Sequence, residues 1–243
     1  MGFLLKTEMK QVTIQGIAGC FHETAAHRFF GDEIEVVECD NFEVLFDRLQ
    51  ADPQLLGVAA IENTIAGSLL PNHELLHKSG MQIIGEEKIR ISHMLCALPG
   101  QHLEEIEEVR SHPIALMQCG DFLKKMPWAR VVERDDTAGS AREIAEGNLR
   151  GTAAICGEDA AHLYGLDILA RAIETNRHNF TRFLILADEA EVEIDPEQVN
   201  KASLRFTLPH TQGSLSKILT VLSFYDINLT KIQSLPIIGR EWE

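Results

Sequence analysis

The chain has few basic residues and no long apolar run, and both absences exclude classes of function. Lys and Arg number 22 against 37 Asp and Glu in 243 residues, which gives a net charge of -15. Because such a surface repels polyanions, we predict no nucleic-acid partner. No apolar stretch approaches the ~20 residues of a membrane-spanning helix, so we also predict no membrane partner.

Cysteines are too few and too scattered to indicate a disulfide framework or a metal site. The five of them, at positions 20, 39, 96, 119 and 156, show no Cys-x-x-Cys or Cys/His ligand spacing. We therefore expect reduced thiols, a cytoplasmic location and no metal. Residues 1–9 lack the basic start and cleavage site of a secretion signal, and we predict a disordered leader there.

Short apolar strands alternate with helical segments along most of the chain. Residues 11–15 form a predicted strand that leads through a glycine turn into a helix over 21–30, and 56–61 has the continuous apolar character of a buried parallel strand. A further helix is predicted over 113–125. Such alternation favours an α/β fold with mostly parallel sheet and ligand sites at the carboxyl ends of the strands.

A smaller unit follows an acidic segment. Residues 189–200 are rich in Asp and Glu and contain a proline, which predicts a linker. Beyond it, a strand over 203–208, a helix over 213–224 and a strand over 228–234 are predicted. This β-α-β piece has too little core to be stable alone, so it must pack elsewhere or belong to something larger.

Several polar residues stand where predicted elements begin or end. Glu62-Asn63-Thr64 follows a buried strand and offers a carboxylate, an amide and a hydroxyl. Ser111-His112 and Asp136-Thr137 each open a helix, and Gly16 and Gly19 allow backbone N-H groups to approach an anion. Helix capping or a tight turn would explain each of these motifs equally well.

The segment from Asn179 to Phe183 combines an amide, a hydroxyl and a guanidinium. In so acidic a protein, Arg182 is a natural counter-ion for a substrate carboxylate. Alternation along an extended segment, however, places Thr181 and Phe183 on one side and Arg182 on the other. A salt bridge between Arg182 and a carboxylate of the scaffold is therefore the alternative.

Taken in order, these motifs resemble the prephenate dehydratase family over about residues 11–188. The segments that carry the resemblance are Gly16-x-x-Gly19, Ile61-Glu62-Asn63-Thr64 with Gly67-Ser68, Ser111-His112-Pro113 with Gln118-Cys119, Asp136-Thr137-Ala138, Tyr164-Gly165-Leu166 and Asn179-Phe180-Thr181-Arg182-Phe183. Where the family has Gly-Thr-Tyr-Ser, this chain has Gly19-Cys20-Phe21-His22.

The resemblance implies an α/β, two-lobed catalytic domain over 10–188, of the type II periplasmic-binding-protein-like class, with a central cleft. One lobe would comprise about residues 10–90 plus 175–188, and the other about 91–174. After the linker, 201–243 resembles the first part of an α+β ACT regulatory domain.

The implied reaction is the decarboxylating dehydration of prephenate to phenylpyruvate, without a cofactor. The resemblance assigns the catalytic hydroxyl to Thr181, with Glu62 and His112 as rival acids. It implies substrate contacts from Gly19, Asn63, Thr64, Ser68, Ser111, Thr137, Asn179, Arg182 and Phe183.

The ACT-like segment implies control by L-phenylalanine and a homodimer or homotetramer. Its regulatory residues would be Gly213, Ser214, Leu215, Asn228, Leu229 and Ser234. Family members usually have Glu-Ser-Arg-Pro where this chain has Gln233-Ser234-Leu235-Pro236, so we expect weakened phenylalanine binding.

Two other functions share these motifs. One is a non-catalytic, two-lobed sensor for a small carboxylate metabolite, and the other is an arogenate dehydratase, whose substrate differs only in carrying an amino group. Formation of phenylpyruvate from prephenate distinguishes the enzyme from the sensor.

Overall fold

The structure is a computed structural model that describes residues 9–234. The chain divides into two compact units, with the second beginning at Asp195. This division falls inside the acidic segment 189–200, where the described backbone forms only short 3-10 turns. Residues 1–8 of the predicted leader lie outside the described range.

Strands and helices alternate through the first unit. Its strands are β1 (Lys10–Gln15), β2 (Ile34–Cys39), β3 (Leu56–Asn63), β4 (Gly67–Ser68), β5 (Gln82–Arg90), β6 (Met94–Ala97), β7 (Glu108–Ser111), β8 (Arg130–Glu133), β9 (Thr152–Cys156), β10 (Asp167–Ala170) and β11 (Phe180–Ala187). Its α-helices are α1 (Phe21–Phe30), α2 (Phe42–Ala51), α3 (Leu70–Ser79), α4 (Pro113–Gln118), α5 (Gly120–Leu123), α6 (Thr137–Glu146) and α7 (Glu158–Leu163), with α8 (Ser214–Phe224) in the second unit.

The first sheet has the strand order β2-β1-β3-β11-β5, and β4 pairs with β3 beside it. Strands β1, β2 and β3 are parallel, whereas β11 is antiparallel to both of its neighbours. Strand β11 enters this sheet only after the chain has passed through the second sheet. The central strand that carries Thr181 is therefore the last one to join.

The second sheet has the order β10-β6-β9-β7-β8. Here β7 is parallel to β8 and β9, and β6 is antiparallel to β9 and β10. Each sheet thus repeats one plan, with its own strands in the order second, first, third, fourth, and a strand from the neighbouring crossover between third and fourth. The inserted strands make both sheets mixed rather than mostly parallel, and the repeat has no counterpart in the sequence.

These two sheets define two lobes, joined by the crossovers 91–93 and 171–179. The buried carboxylate of Glu174 links them: it accepts the backbone N-H of His93 at 3.0 Å and pairs with Arg90 at 3.2 Å. A second seam joins α1 to α7 and the residues after it, where the Tyr164 hydroxyl donates to the carbonyl of Ala18 at 2.8 Å. One apolar core cluster continues across both lobes.

Some elements follow directly from the sequence and others do not. The predicted helix 21–30 and strand 152–156 have the predicted bounds, and Asn41 caps α2 by accepting the N-H of Val44 at 2.9 Å. The predicted helix 113–125 is wrong in its length, because it breaks at Cys119 into α4 and α5. Helix α3 and strands β4, β7 and β10 are additions that the apolar pattern does not indicate.

The second unit contains the predicted helix, but the two predicted strands are not formed among its described residues. A strand needs a neighbour to pair its backbone N-H and C=O groups, and 203–208 and 228–234 have none in the described range. Gly213 precedes α8 in the left-handed region with φ 80°, and Ser214 and Leu215 form its first turn. Asn228, Leu229 and Ser234 are exposed and irregular, whereas Leu235 and Pro236 lie outside the described residues.

No helix within residues 9–234 is long and apolar enough to cross a membrane.

Candidate active site

Thr181 lies on the central strand of the first sheet, opposite Asn63 of β3 on one side and Ile89 of β5 on the other. Thr181 and Asn63 are each 9% exposed, and Asn179 is fully buried. Buried polar side chains are costly unless they are hydrogen-bonded, so the partners of these three residues define the site.

The side-chain amide of Asn63 organises the centre of the site. Its Nδ2 donates to Asn179 Oδ1 at 2.8 Å and to Thr181 Oγ1 at 3.0 Å. Its Oδ1 accepts the backbone N-H groups of Ile65 and Ala66, which fixes the direction of the amide. Because Thr181 Oγ1 accepts in this arrangement, the hydroxyl hydrogen remains available to donate to another acceptor.

The network continues into the second lobe through Gln118. Asn179 Nδ2 donates to Gln118 Oε1 at 2.9 Å, and His93 Nε2 lies 2.9 Å from the same oxygen. We call Asn63, Asn179 and Gln118 the amide chain. It connects β3 of one lobe, through the crossover that leads into β11, to α4 of the other.

Gln118 and His93 are absent from the site residues predicted from the sequence. Both are buried polar residues inside apolar segments, Gln118 at the end of α4 and His93 just before β6. A buried polar residue in such a segment is the signal that would have indicated them. Burial lowers the pKa of His93, and burial, with the nearby Glu174 charge, raises the pKa of the Cys119 thiol to about 12.

Thr64 lies close to the site but uses its hydroxyl internally. Its Oγ1 donates to the carbonyl of His178 at 2.7 Å and accepts the backbone N-H of Phe180 at 2.9 Å. These bonds fasten the second crossover to the end of β3. Thr64 therefore positions the backbone around Asn179, and its hydroxyl hydrogen is not free for the predicted substrate contact.

The predicted pair Ser111 and His112 is also engaged within the protein. The buried Ser111 hydroxyl donates to the carbonyl of Ile155 at 2.6 Å, and His112 Nδ1 accepts the N-H of Ile114 at 3.2 Å as the cap of α4. Neither bond reaches the amide chain. A cavity of about 260 Å³ adjoins His112 and is otherwise lined by Pro113, Glu133, Arg134 and Asp135.

Glu62 and Arg182 face each other across β3 and β11. Since successive residues of a strand point to opposite faces, this pair lies on the face opposite to Asn63 and Thr181. Arg182 Nε bonds to Glu86 Oε2 at 2.6 Å, so the scaffold salt bridge is the observed interaction. The prediction that Arg182 and Glu62 join Thr181 at one substrate disagrees with this register.

Phe183 and Gly19 have packing roles. Phe183 is 1% exposed and its ring contacts that of His22, so it belongs to the core and not to a ligand surface. The Gly19 N-H donates to the carboxylate of Glu23, and a Cβ at Gly19 would lie 2.8 Å from Ala160 Cα in the other lobe. Gly19 therefore allows the lobes to touch, and its N-H is not free for an anion.

Thr137 and Ser68 are partly exposed at element ends. Thr137 begins α6 directly after Asp136, whose carboxylate accepts the N-H of Gly139 at 2.7 Å. Ser68 pairs with Glu62 in the short β3-β4 ladder and so lies on the Arg182 face. In the described part of the chain, no group of three or more His, Cys, Asp or Glu residues is arranged to hold a metal ion.

Comparison with known proteins agrees with the two-lobed fold. The sequence model of prephenate dehydratase matches residues 12–191. Arogenate dehydratase/prephenate dehydratase 2 of Arabidopsis thaliana is 38% identical over 227 residues, which are 93% of this chain and 59% of the relative. This chain spans between 53% and 59% of the length of the first curated relatives that it matches.

Two solved structures share the fold at 26% identity. The prephenate dehydratase of Arthrobacter aurescens in complex with L-Phe has a TM-score of 0.78, covering 94% of this chain and 77% of that chain. A protein described as a novel type of quorum quenching acylase has a TM-score of 0.77, covering 95% of this chain and 83% of that chain. Since proteins with such different descriptions share the fold, the reaction must be argued from the side chains.

Proposed function

The chain belongs to the prephenate dehydratase family, and we propose that it converts prephenate to phenylpyruvate in L-phenylalanine biosynthesis. The observation that carries this proposal is the bond from Asn63 to Thr181, which leaves the Thr181 hydroxyl hydrogen free to donate. Thr181 is also nearly buried, so a hydrogen bond that it donates meets little competition from water.

The chemistry requires one proton at the leaving oxygen. The bond between the ring and its carboxylate breaks and releases carbon dioxide, its electron pair enters the ring, and the ring C-O bond breaks on the opposite side. Hydroxide would be a poor leaving group, so a proton must reach that oxygen as it departs as water. Aromatisation of the ring drives the reaction.

We assign Thr181 the role of hydrogen-bond donor to the departing oxygen. A neutral hydroxyl is a weak acid, so it shares its hydrogen in the transition state and regains one from the departing water or solvent. Asn63 holds the Thr181 oxygen as an acceptor, and this keeps the hydrogen directed away from Asn63. Because Glu62 points to the opposite face, it is a less suitable acid than Thr181.

The decisive assay measures phenylpyruvate from prephenate, with purified chain and Thr181 variants. We expect turnover by the wild type, about 10²- to 10³-fold less by Thr181→Val, and a smaller loss for Thr181→Ser, which keeps the hydroxyl. Unfolding curves of the variants serve as the control for the fold. Near-normal turnover by Thr181→Val would exclude the assigned role.

Arogenate is the alternative substrate, because the Arabidopsis relative carries both activities in its name. It has an amino group where prephenate has a keto group, and the same elimination gives phenylalanine. Running the assay with each substrate at equal concentration decides between them by kcat/KM. Binding of either compound without turnover would support the sensor function instead.

Regulation and assembly are further parts of the proposal. The Arthrobacter structure contains L-Phe, and residues 201–243 resemble an ACT domain around Gly213 and α8. We propose a homodimer or homotetramer with weakened phenylalanine binding, and a cytoplasmic location in keeping with five free, buried cysteines. Tight phenylalanine binding by calorimetry, or a monomer by light scattering, would contradict the respective part.

A further inference from the structure

His93 is a buried histidine at the point where the chain first crosses between the lobes. It is 2% exposed, its backbone N-H donates to Glu174, and its ring lies edge-on to Phe21 with centroids 6.0 Å apart. Its Nε2 is 2.9 Å from Gln118 Oε1. The ring therefore meets the end of the amide chain opposite to Thr181.

The direction of the amide chain determines the protonation of this ring. Asn179 Nδ2 donates to Gln118 Oε1, so that oxygen is an acceptor. A hydrogen bond at 2.9 Å then requires His93 to donate from Nε2, which leaves Nδ1 without a hydrogen in the neutral ring. Nδ1 is buried and has no hydrogen-bond partner within residues 9–234. A buried polar atom without a partner costs stability, and a purely structural site would gain from an apolar ring here.

We propose that His93 is a positioning residue for Gln118, a role that rests on the proposed dehydratase function. Two donors, His93 Nε2 and Asn179 Nδ2, occupy the Gln118 oxygen and keep the side-chain amide from rotating. Gln118 Nε2, for which the described residues provide no acceptor, is thereby presented as a donor to a carboxylate or carbonyl oxygen of the substrate. Because burial disfavours the imidazolium, the ring keeps a single N-H.

Two substitutions separate positioning from packing. His93→Gln retains an N-H at a similar reach, whereas His93→Phe retains the ring against Phe21 but has no donor. We expect kcat/KM to fall about 10-fold in His93→Phe and to stay within about 3-fold in His93→Gln. A purely structural histidine predicts the reverse order, because only the phenylalanine preserves the ring contact.

Coupling to Gln118 is the second criterion. In a Gln118→Ala background, His93→Phe should have no further effect on kcat/KM, since the group that it positions is gone. Equal losses in His93→Phe and His93→Gln, or full additivity with Gln118→Ala, would overturn the proposal.

The ring nitrogens give a readout that does not depend on turnover. Long-range ¹H-¹⁵N spectra of the wild type should show the Nε2-H tautomer between pH 6 and 8, and an Nδ1-H tautomer would refute the positioning role even in an active enzyme. If the wild type lacks dehydratase activity, the proposed function fails, and phenylpyruvate affinity replaces the rate. Loss of affinity in His93→Phe but not in His93→Gln would then still support positioning, and equal affinities would refute it.

Discussion

Asn63 and Thr181 are 118 residues apart in the chain, yet Asn63 Nδ2 donates to Thr181 Oγ1 across adjacent strands at 3.0 Å. The bond gives the two side chains opposite roles, because the amide can only donate from this atom and the hydroxyl must accept. The hydrogen of Thr181 is thereby reserved for a third group. A backbone turn holds the amide in this direction through two further bonds.

Replacing the amide by a carboxylate should reverse that relationship. In Asn63→Asp, no hydrogen is donated to Thr181 Oγ1, and the new oxygen accepts the threonine hydrogen instead. We expect kcat to fall about 10²- to 10³-fold in a prephenate or arogenate assay. Asn72→Asp is the matched control: Asn72 is also buried and donates to the carbonyl of Ala60 at 2.8 Å, outside the amide chain. It should lose stability but keep kcat, and equal kcat values in the two variants would contradict the prediction.

The Arg182-Glu86 ion pair should support the fold more than substrate binding. Both side chains are about one quarter exposed, and Arg182 lies on the face opposite to Thr181. We expect Arg182→Gln to lower the free energy of unfolding by about 1 kcal/mol, while KM changes by less than about 3-fold. A direct contact with a substrate carboxylate would instead raise KM by about 100-fold. Glu86→Gln should cost a similar stability, and the double variant should cost less than the sum.

The approach of the lobes at Gly19 should be sensitive to a single methyl group. Gly19→Ala adds a Cβ 2.8 Å from the backbone of Ala160 at a φ of +87°, so both overlap and backbone strain oppose it. We expect a loss of about 2–4 kcal/mol in urea unfolding. Gly80→Ala also has a positive φ, +72°, but its Cβ meets nothing within 4 Å, and it should lose only about 1 kcal/mol. Equal losses would show that the lobe contact is not tight.

His22 should make the protein less stable as the pH falls below 6.5. Burial lowers its pKa from 6.5 to about 3, and its Nε2 accepts the N-H of Ala60, which a protonated ring could not do. The unfolded chain therefore takes up a proton near pH 6.5 that the folded chain refuses. The stabilisation is complete above that pH and is lost progressively below it, by about 1 kcal/mol between pH 7.5 and 5.5. Unfolding at both pH values in wild type and His22→Gln measures this term, and identical pH dependence would refute it.

Local patterns were sufficient for much of the secondary structure. Helix 21–30 and strand 152–156 have the predicted bounds because their apolar spacing, and a glycine at the end of the helix, act within a few residues. The same logic failed for 203–208 and 228–234. A strand depends on a partner that no local pattern supplies, and the described chain offers none.

The sequence by itself determined the family, the α/β class and the importance of the segment that contains Asn63 and Thr181, since motif order and apolar spacing are properties of the chain. Only the tertiary structure decided which of the polar residues share a site. Strand register separated Arg182 and Glu62 from Thr181, and internal hydrogen bonds occupied Ser111 and Thr64. The packing of the two lobes brought Gln118 and His93 to the network. These outcomes depend on contacts between residues far apart in the chain, and such contacts exist only after the strands have paired and the lobes have packed.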